Sequence, residues 1–219
     1  MREWPPRVKV CGLTRHDDAA AAAEAGAHYL GAILAPGYRR SVTPETARVI
    51  FSGCPASRVG VFVDAGRDEV LAAAEAAGLD AVQLHGDELP ELAAGLRAAG
   101  LEVWKAVRPR GADEFSGAAR RWGGAVDALL LDGYTPDAAG GTGVRFPWAQ
   151  VATRLDELAP GTRLIAAGGL RPENVAQAAR LLRPDAVDVS SGVEGAPGVK
   201  DHERVRAFIA AVRALKREF

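Results

Sequence analysis

Short β-rich runs recur along this chain at intervals of roughly 20 to 30 residues, each closed by a Gly, Pro, Asp or Ser break and followed by an alanine-rich segment with helical spacing. Eight such units follow one another, with strands expected over 8–11, 29–34, 58–63, 81–85, 102–107, 128–132, 163–167 and 186–190. Eight consecutive βα units close naturally on themselves, because an open parallel sheet of that size would leave two unpaired edges. The expectation is therefore an α/β chain forming a single (β/α)8 TIM barrel, with residues 1–219 as one domain. A doubly wound sheet is the rival, but its glycine-rich fingerprint after the first strand is missing. Helix boundaries carry local signals: Thr43-Pro44-Glu45 and Arg171-Pro172-Glu173-Asn174 read as proline-led starts, and Gly26, Gly78 and Gly100 as stops.

Composition narrows the function. With 27 Lys and Arg against 28 Asp and Glu, scattered and not clustered, no field favours nucleic acid or anionic lipid. The two cysteines, Cys11 and Cys54, have no framework spacing and read as reduced thiols of a cytoplasmic protein. No apolar run approaches the roughly 20 residues needed to cross a bilayer, and the first residues lack a signal core.

A closed barrel places its chemistry on the rim where the strands end. Cys11, His85, Asp132 and Ser190 all end expected strands. Gly168 and Gly169 follow the seventh strand, and Ser190, Ser191 and Gly192 the eighth, where glycine lets backbone N–H groups approach an anion. A phosphate ester is the ligand group this implies. Gly141, Thr142 and Gly143, past the sixth strand, read as a flap adding amides and a hydroxyl to the same phosphate.

Cys11 and Asp132 end the first and sixth strands, so they face each other across the mouth, an arrangement suited to moving protons on a ligand held between them. Such a base must be partly thiolate, which needs nearby positive charge, and such an acid must hold its proton through burial or a negative neighbour. An inert buried thiol and a loop-capping aspartate are the alternative readings. Alternation puts Lys9 and Asp188 on adjacent strands facing inward, and we expect them to pair, because a lone buried charge costs several kcal/mol. Asp188 touching substrate, with Lys9 neutralising it, is the other option. Arg40, after the second strand, can grip a carboxylate in bidentate fashion, although arginines at loops are often merely solvated. His85 either positions substrate or is structural. The remaining histidines show no metal-ligand spacing, so no metal is expected.

Taken in order, Lys9-Val10-Cys11-Gly12-Leu13-Thr14, Gly60-Val61-Phe62-Val63, Val82-Gln83-Leu84-His85-Gly86, Leu130-Leu131-Asp132 with Gly140-Gly141-Thr142-Gly143, Gly168-Gly169-Leu170-Arg171-Pro172-Glu173-Asn174-Val175 and Val187-Asp188-Val189-Ser190-Ser191-Gly192-Val193-Glu194 resemble the phosphoribosylanthranilate isomerases of tryptophan biosynthesis, along essentially the whole length. The resemblance implies a cofactor-free Amadori rearrangement of N-(5-phosphoribosyl)anthranilate to 1-(2-carboxyphenylamino)-1-deoxyribulose 5-phosphate, with no partner beyond that small molecule and a monomer or homodimer as the assembly. It also implies Asp132 as general acid, Cys11 as general base, Arg40 on the anthranilate carboxylate and the glycine and serine loops on phosphate. One departure is Phe146-Pro147-Trp148, where the family often has Phe-Asp-Trp. Proline at an early helical position does similar work.

Other readings make different demands. Indole-glycerol-phosphate synthase would need a longer extension before the first strand and a lysine acid. A dual-substrate isomerase would carry aspartate where Cys11 stands. A Schiff-base aldolase would use a desolvated Lys105 on the fifth strand. A non-catalytic sugar-phosphate binding barrel would need only the loops.

Overall fold

The computed structural model describes residues 4–133 and 148–216. Eight strands alternate with eight helices: β1 (Arg7–Val10), α1 (His16–Ala25), β2 (Tyr29–Ile33), α2 (Pro44–Ile50), β3 (Ser57–Phe62), α3 (Arg67–Ala77), β4 (Ala81–Leu84), α4 (Pro90–Ala98), β5 (Glu102–Val107), α5 (Ala112–Trp122), β6 (Ala128–Leu131), α6 (Trp148–Ala152), β7 (Arg163–Ala166), α7 (Val175–Leu182), β8 (Ala186–Val189) and α8 (His202–Arg213). The strands pair in parallel and in sequence order, and β8 closes on β1. The chain is a (β/α)8 TIM barrel.

Two apolar layers hold it. Side chains at alternate strand positions fill the barrel interior, where Tyr29, Val59, Ala81, Trp104, Ala106, Ala128, Leu130, Ile165, Ala167 and Ala186 form one buried cluster. The other strand faces meet the helices in a second, larger cluster, to which the helices contribute Ala19, Ala22, Ala74, Ala77, Ala93, Ala178 and Ala179. Alanine is the best helix former and also the shortest spacer, so one composition bias serves both helix formation and close helix–strand approach.

The helix signals hold in part. Thr43 caps α2, its hydroxyl accepting from the Thr46 N–H at 3.2 Å, with Pro44 in the first turn. Gly26 and Gly78 end α1 and α3 in the left-handed region. At α7 the expectation shifts, because the helix starts at Val175 and not at the proline. The Asn174 side chain instead holds a preceding turn, accepting from the Arg171 N–H at 2.9 Å and donating to the Gly169 carbonyl at 3.0 Å.

Apart from β5, the strands stop one residue earlier than the periodicity indicates. Cys11, His85, Asp132, Ala167 and Ser190 each stand one place past a strand end. Four of their N–H groups still join the ladder, from Cys11 to Val189 at 2.8 Å, His85 to Phe62 at 2.8 Å, Asp132 to Val107 at 2.9 Å and Ala167 to Leu131 at 2.8 Å. The backbone is thus anchored on one side while the side chain projects into the mouth. After β8 a short 3-10 turn (Ser191–Val193) leads into an antiparallel pair that was not expected, β9 (Glu194–Ala196) and β10 (Val199–Lys200). The Thr14 hydroxyl donates to the Gly198 carbonyl at 2.6 Å, tying this hairpin to the loop after β1.

Candidate active site

The base of the mouth is organised by Lys9, which is fully buried. Its ammonium donates to both Asp188 oxygens at 3.1 Å and to Gln83 Oε1 at 3.0 Å. The Lys9–Asp188 pair expected from alternation is present, on residues that are direct partners across β1 and β8. Burial opposes the charge on Lys9, but Asp188 and the adjacent Cys11 thiol outweigh it and raise its pKa. Burial likewise pushes Asp188 up, against the pull of Lys9. Room for the lysine and the thiol comes from Gly31 on the neighbouring strand, where a Cβ would stand 2.8 Å from Cys11 Sγ and 3.1 Å from Lys9 Cε.

Cys11 is buried beside Lys9, and burial pushes its thiol above the ordinary value of 9.0 despite Lys9 and Lys200 pulling the other way. Asp188 adds to the rise. The nearby positive charge that a thiolate base requires is present, but Asp188 already neutralises much of it, and desolvation dominates.

Asp132 is shifted in the opposite sense. Its Oδ2 lies 3.2 Å from His85 Nε2, its Oδ1 accepts from the Gly133 N–H at 2.9 Å, and Arg108 Nε approaches to 3.8 Å. Burial pushes the carboxyl up, but His85, Arg108 and the Gly133 N–H together hold it below its ordinary 3.8. At neutral pH these shifts leave Cys11 a thiol and Asp132 a carboxylate. The Asp188 charge acts on Cys11, and those of Asp132 and His85 act on Asp188.

Arg40 occupies the left-handed region, with φ of 70°. Its Nε and Nη2 each donate to one Glu194 oxygen at 2.7 Å, and Lys200 joins Glu194 Oε1 at 3.0 Å. Lys200 also reaches the Ser190 carbonyl at 3.2 Å. Side-on pairing with Glu194 uses one edge of the guanidinium and leaves the end-on Nη1/Nη2 edge, which can still chelate a carboxylate. The Glu194 hydrogen bonds raise the Arg40 pKa, and although burial works against the Glu194 charge, Arg40 and Lys200 lower its pKa overall.

The two glycine and serine loops meet beside Asp132. Gly168, with φ of 78°, presses on the end of β6, where a Cβ would lie 2.1 Å from the Gly133 nitrogen. Gly169 faces open space, and Ser191 is exposed at the start of the 3-10 turn. Gly192 is held from below, its carbonyl accepting from Arg204 Nε at 3.2 Å and Nη2 at 3.1 Å. Gly141, Thr142 and Gly143 lie outside the described residues, as does Pro147.

Three contributors escaped sequence reasoning. Gln83 links Lys9 to His85, its amide 2.8 Å from Nδ1. Glu194 and Lys200 bracket Arg40 from the unforeseen hairpin. The available signal was position: Gln83 shares the inward parity of His85, and Glu194 ends a motif already singled out. Lys105, considered as a Schiff-base nucleophile, points away from the mouth. It sits between barrel and helices, 2.6 Å from Glu88 Oε2 and 5.3 Å from the Trp122 ring centroid. Among the described residues no group of three or more His, Cys, Asp or Glu could hold a metal ion.

Residues 8–211 match the family described as PRAI, N-(5'phosphoribosyl)anthranilate (PRA) isomerase. The chain is 46% identical over 212 residues to the N-(5'-phosphoribosyl)anthranilate isomerase of Myxococcus xanthus (strain DK1622), covering 95% of this chain and 97% of that one. Among solved structures, the monomers of the dimeric phosphoribosylanthranilate isomerase from Thermotoga maritima superpose with a TM-score of 0.83 at 38% identity, covering 96% of this chain and 100% of theirs. A phosphoribosyl anthranilate isomerase in complex with reduced 1-(o-carboxyphenylamino)-1-deoxyribulose 5-phosphate superposes with a TM-score of 0.81 at 35% identity and the same coverage.

Proposed function

We propose, from the premise that this chain belongs to the N-(5'-phosphoribosyl)anthranilate isomerase family, that Asp132 and Cys11 are the acid and base of its reaction. The chain is an isomerase of tryptophan biosynthesis, converting N-(5-phosphoribosyl)anthranilate to 1-(2-carboxyphenylamino)-1-deoxyribulose 5-phosphate by Amadori rearrangement. Two proton movements suffice. Asp132 gives a proton to the furanose ring oxygen as its bond to the anomeric carbon breaks and the nitrogen lone pair forms the imine. Cys11, as thiolate, takes the proton from the adjacent sugar carbon, and the enolamine so formed tautomerises to the ketone.

The observation that carries this reading is the pair's placement. Cys11 and Asp132 stand on one rim, each one residue past a strand end, and Lys9 joins Asp188 on the floor between β1 and β8. The resting thiol and carboxylate need only one proton shifted from Cys11 to Asp132 to become the working pair, at no change in net charge. The end-on edge of Arg40 takes the anthranilate carboxylate, and the loops at Gly168, Gly169, Ser190, Ser191 and Gly192, with Gly141, Thr142 and Gly143, take the phosphate. Fixing both anionic ends holds a flexible sugar between acid and base. In this reading His85 and Asp188 serve the site from its floor.

The same proposal covers residues 1–219 acting as one domain in the cytoplasm, as a monomer or homodimer. The dimeric relative from Thermotoga maritima supports the assembly. Among the described residues no helix is long and apolar enough to cross a membrane. Loss of phosphoribosylanthranilate fluorescence on adding the protein tests the assignment. Asp132→Asn and Cys11→Ser should each lower kcat by about 100- to 10,000-fold while substrate still binds. Full turnover in either variant would move that role to another residue.

A further inference from the structure

The side chain of Gln83 is buried between two groups of opposite character. On one side stands the Lys9 ammonium, 3.0 Å from Oε1, and on the other His85 Nδ1, 2.8 Å from Nε2. An ammonium has only donors, so the amide oxygen must face it. The reversed amide would set NH2 against NH3+. The amide N–H is therefore committed to His85, and Nδ1 must accept it. The ring proton is then on Nε2, which points at Asp132 Oδ2, 3.2 Å away.

We infer that Gln83 is a positioning residue that, locked by Lys9, holds His85 in the Nε2–H tautomer so that it donates a hydrogen bond to the Asp132 carboxyl. The inference rests on the reading of Asp132 as the acid. A ring whose Nδ1 already accepts has no second proton to release, so His85 steadies the Asp132 carboxyl without serving as a proton source. With the Gly133 N–H on Oδ1, the two donors fix the carboxyl plane and receive the negative charge that appears when Asp132 gives up its proton. The same Lys9 also sits against the Cys11 thiol, so one buried ammonium orients the floor beneath the base and, through Gln83 and His85, the carboxyl of the acid.

Nitrogen-15 NMR of histidine-labelled protein reads the tautomer directly, with His85→Asn used to assign the ring signals. In the unaltered protein, His85 should show an unprotonated Nδ1 and a protonated Nε2. Gln83→Leu should leave a mixture of tautomers and lower kcat by about 10- to 100-fold with KM within about twofold, the range typical of residues that orient a reacting group through another. Gln83→Glu, close in shape, places an acceptor opposite Nδ1 and should draw the ring proton there with a similar loss of kcat. It supplies the kinetic test if the leucine variant does not fold. An Nδ1–H ring in the unaltered protein, or unchanged kcat in the altered proteins, overturns the inference. Full turnover in Asp132→Asn would instead overturn the acid assignment and leave the tautomer measurement standing.

Discussion

At Cys11 the neighbouring positive charge and burial pull the thiol in opposite directions. Lys9 supplies the positive charge a thiolate needs, but Asp188 faces the same ammonium at 3.1 Å, and desolvation wins. The free protein should therefore show no thiolate absorbance at neutral pH. In a Cys54→Ser background that absorbance should rise only above pH 9.0, the ordinary thiol value. The sign for stability follows: a raised pKa means the folded state holds its proton more tightly, so this contribution is complete below pH 9.0 and is withdrawn as pH climbs through the folded value. Turnover has its own signature. When the base ionises above the acid, the productive fraction is small but constant between the two pKa values. We expect kcat/KM to stay flat across neutral pH, falling on the alkaline side only above 9.0 and on the acid side only below 3.8. An inflection inside that window would show a different pair titrating.

Elements were legible in the sequence wherever one periodicity governed them. The eight strands lie where alternation and glycine breaks put them, and α2 starts at its threonine cap. The hairpin of β9 and β10 was not legible, because strands of three and two residues carry no period to read. The start of α7 was misread because Asn174 uses its side chain to hold a turn before the helix, and proline fits both structures. At the site, the inward parity of Lys9 and Asp188 was enough to foresee their pairing. Side-on capture of Arg40 by Glu194 depended on the hairpin and was out of reach. Element geometry also makes a specific demand at Gly31. An alanine there would place its Cβ 2.8 Å from Cys11 Sγ, against a backbone that the β1 and β3 ladders hold fixed. Gly31→Ala should lower stability by about 1–3 kcal/mol, read from the urea midpoint, and lower kcat as the thiol is displaced. Equal activity and stability would mean that the thiol has free space elsewhere.

At the scale of the molecule, a second buried pair holds β5 to the loop between β4 and α4. Glu88 meets Lys105 at 2.6 Å and accepts from the Gly86 N–H at 2.9 and 3.0 Å. Burial works against the Glu88 charge, but these partners hold its pKa below the ordinary 4.5. A depressed carboxylate contributes stability above its unfolded value and loses it as pH falls through the folded one. Glu88→Gln should thus cost about 3–5 kcal/mol at neutral pH, where it strands the buried Lys105. That cost should shrink as pH drops below 4.5, where the unaltered protein loses the same interaction. Urea unfolding of both proteins across this range measures it, and a pH-independent difference would mean that Glu88 acts by packing alone.

The hairpin tied to the first loop has one more consequence. Thr14, Cys11 and Arg40 come from the opening of the chain, whereas Gly198, Glu194 and Lys200 come from its close. During synthesis, Arg40 is made well before Glu194, the carboxylate that holds it. Cut between β4 and β5, the polypeptide would yield one fragment bearing the thiol, the arginine and the histidine, and another bearing the aspartate and the strand-seven and strand-eight loops. Neither half alone would carry both the proposed acid and the proposed base. The chemistry is a property of the reunited circle.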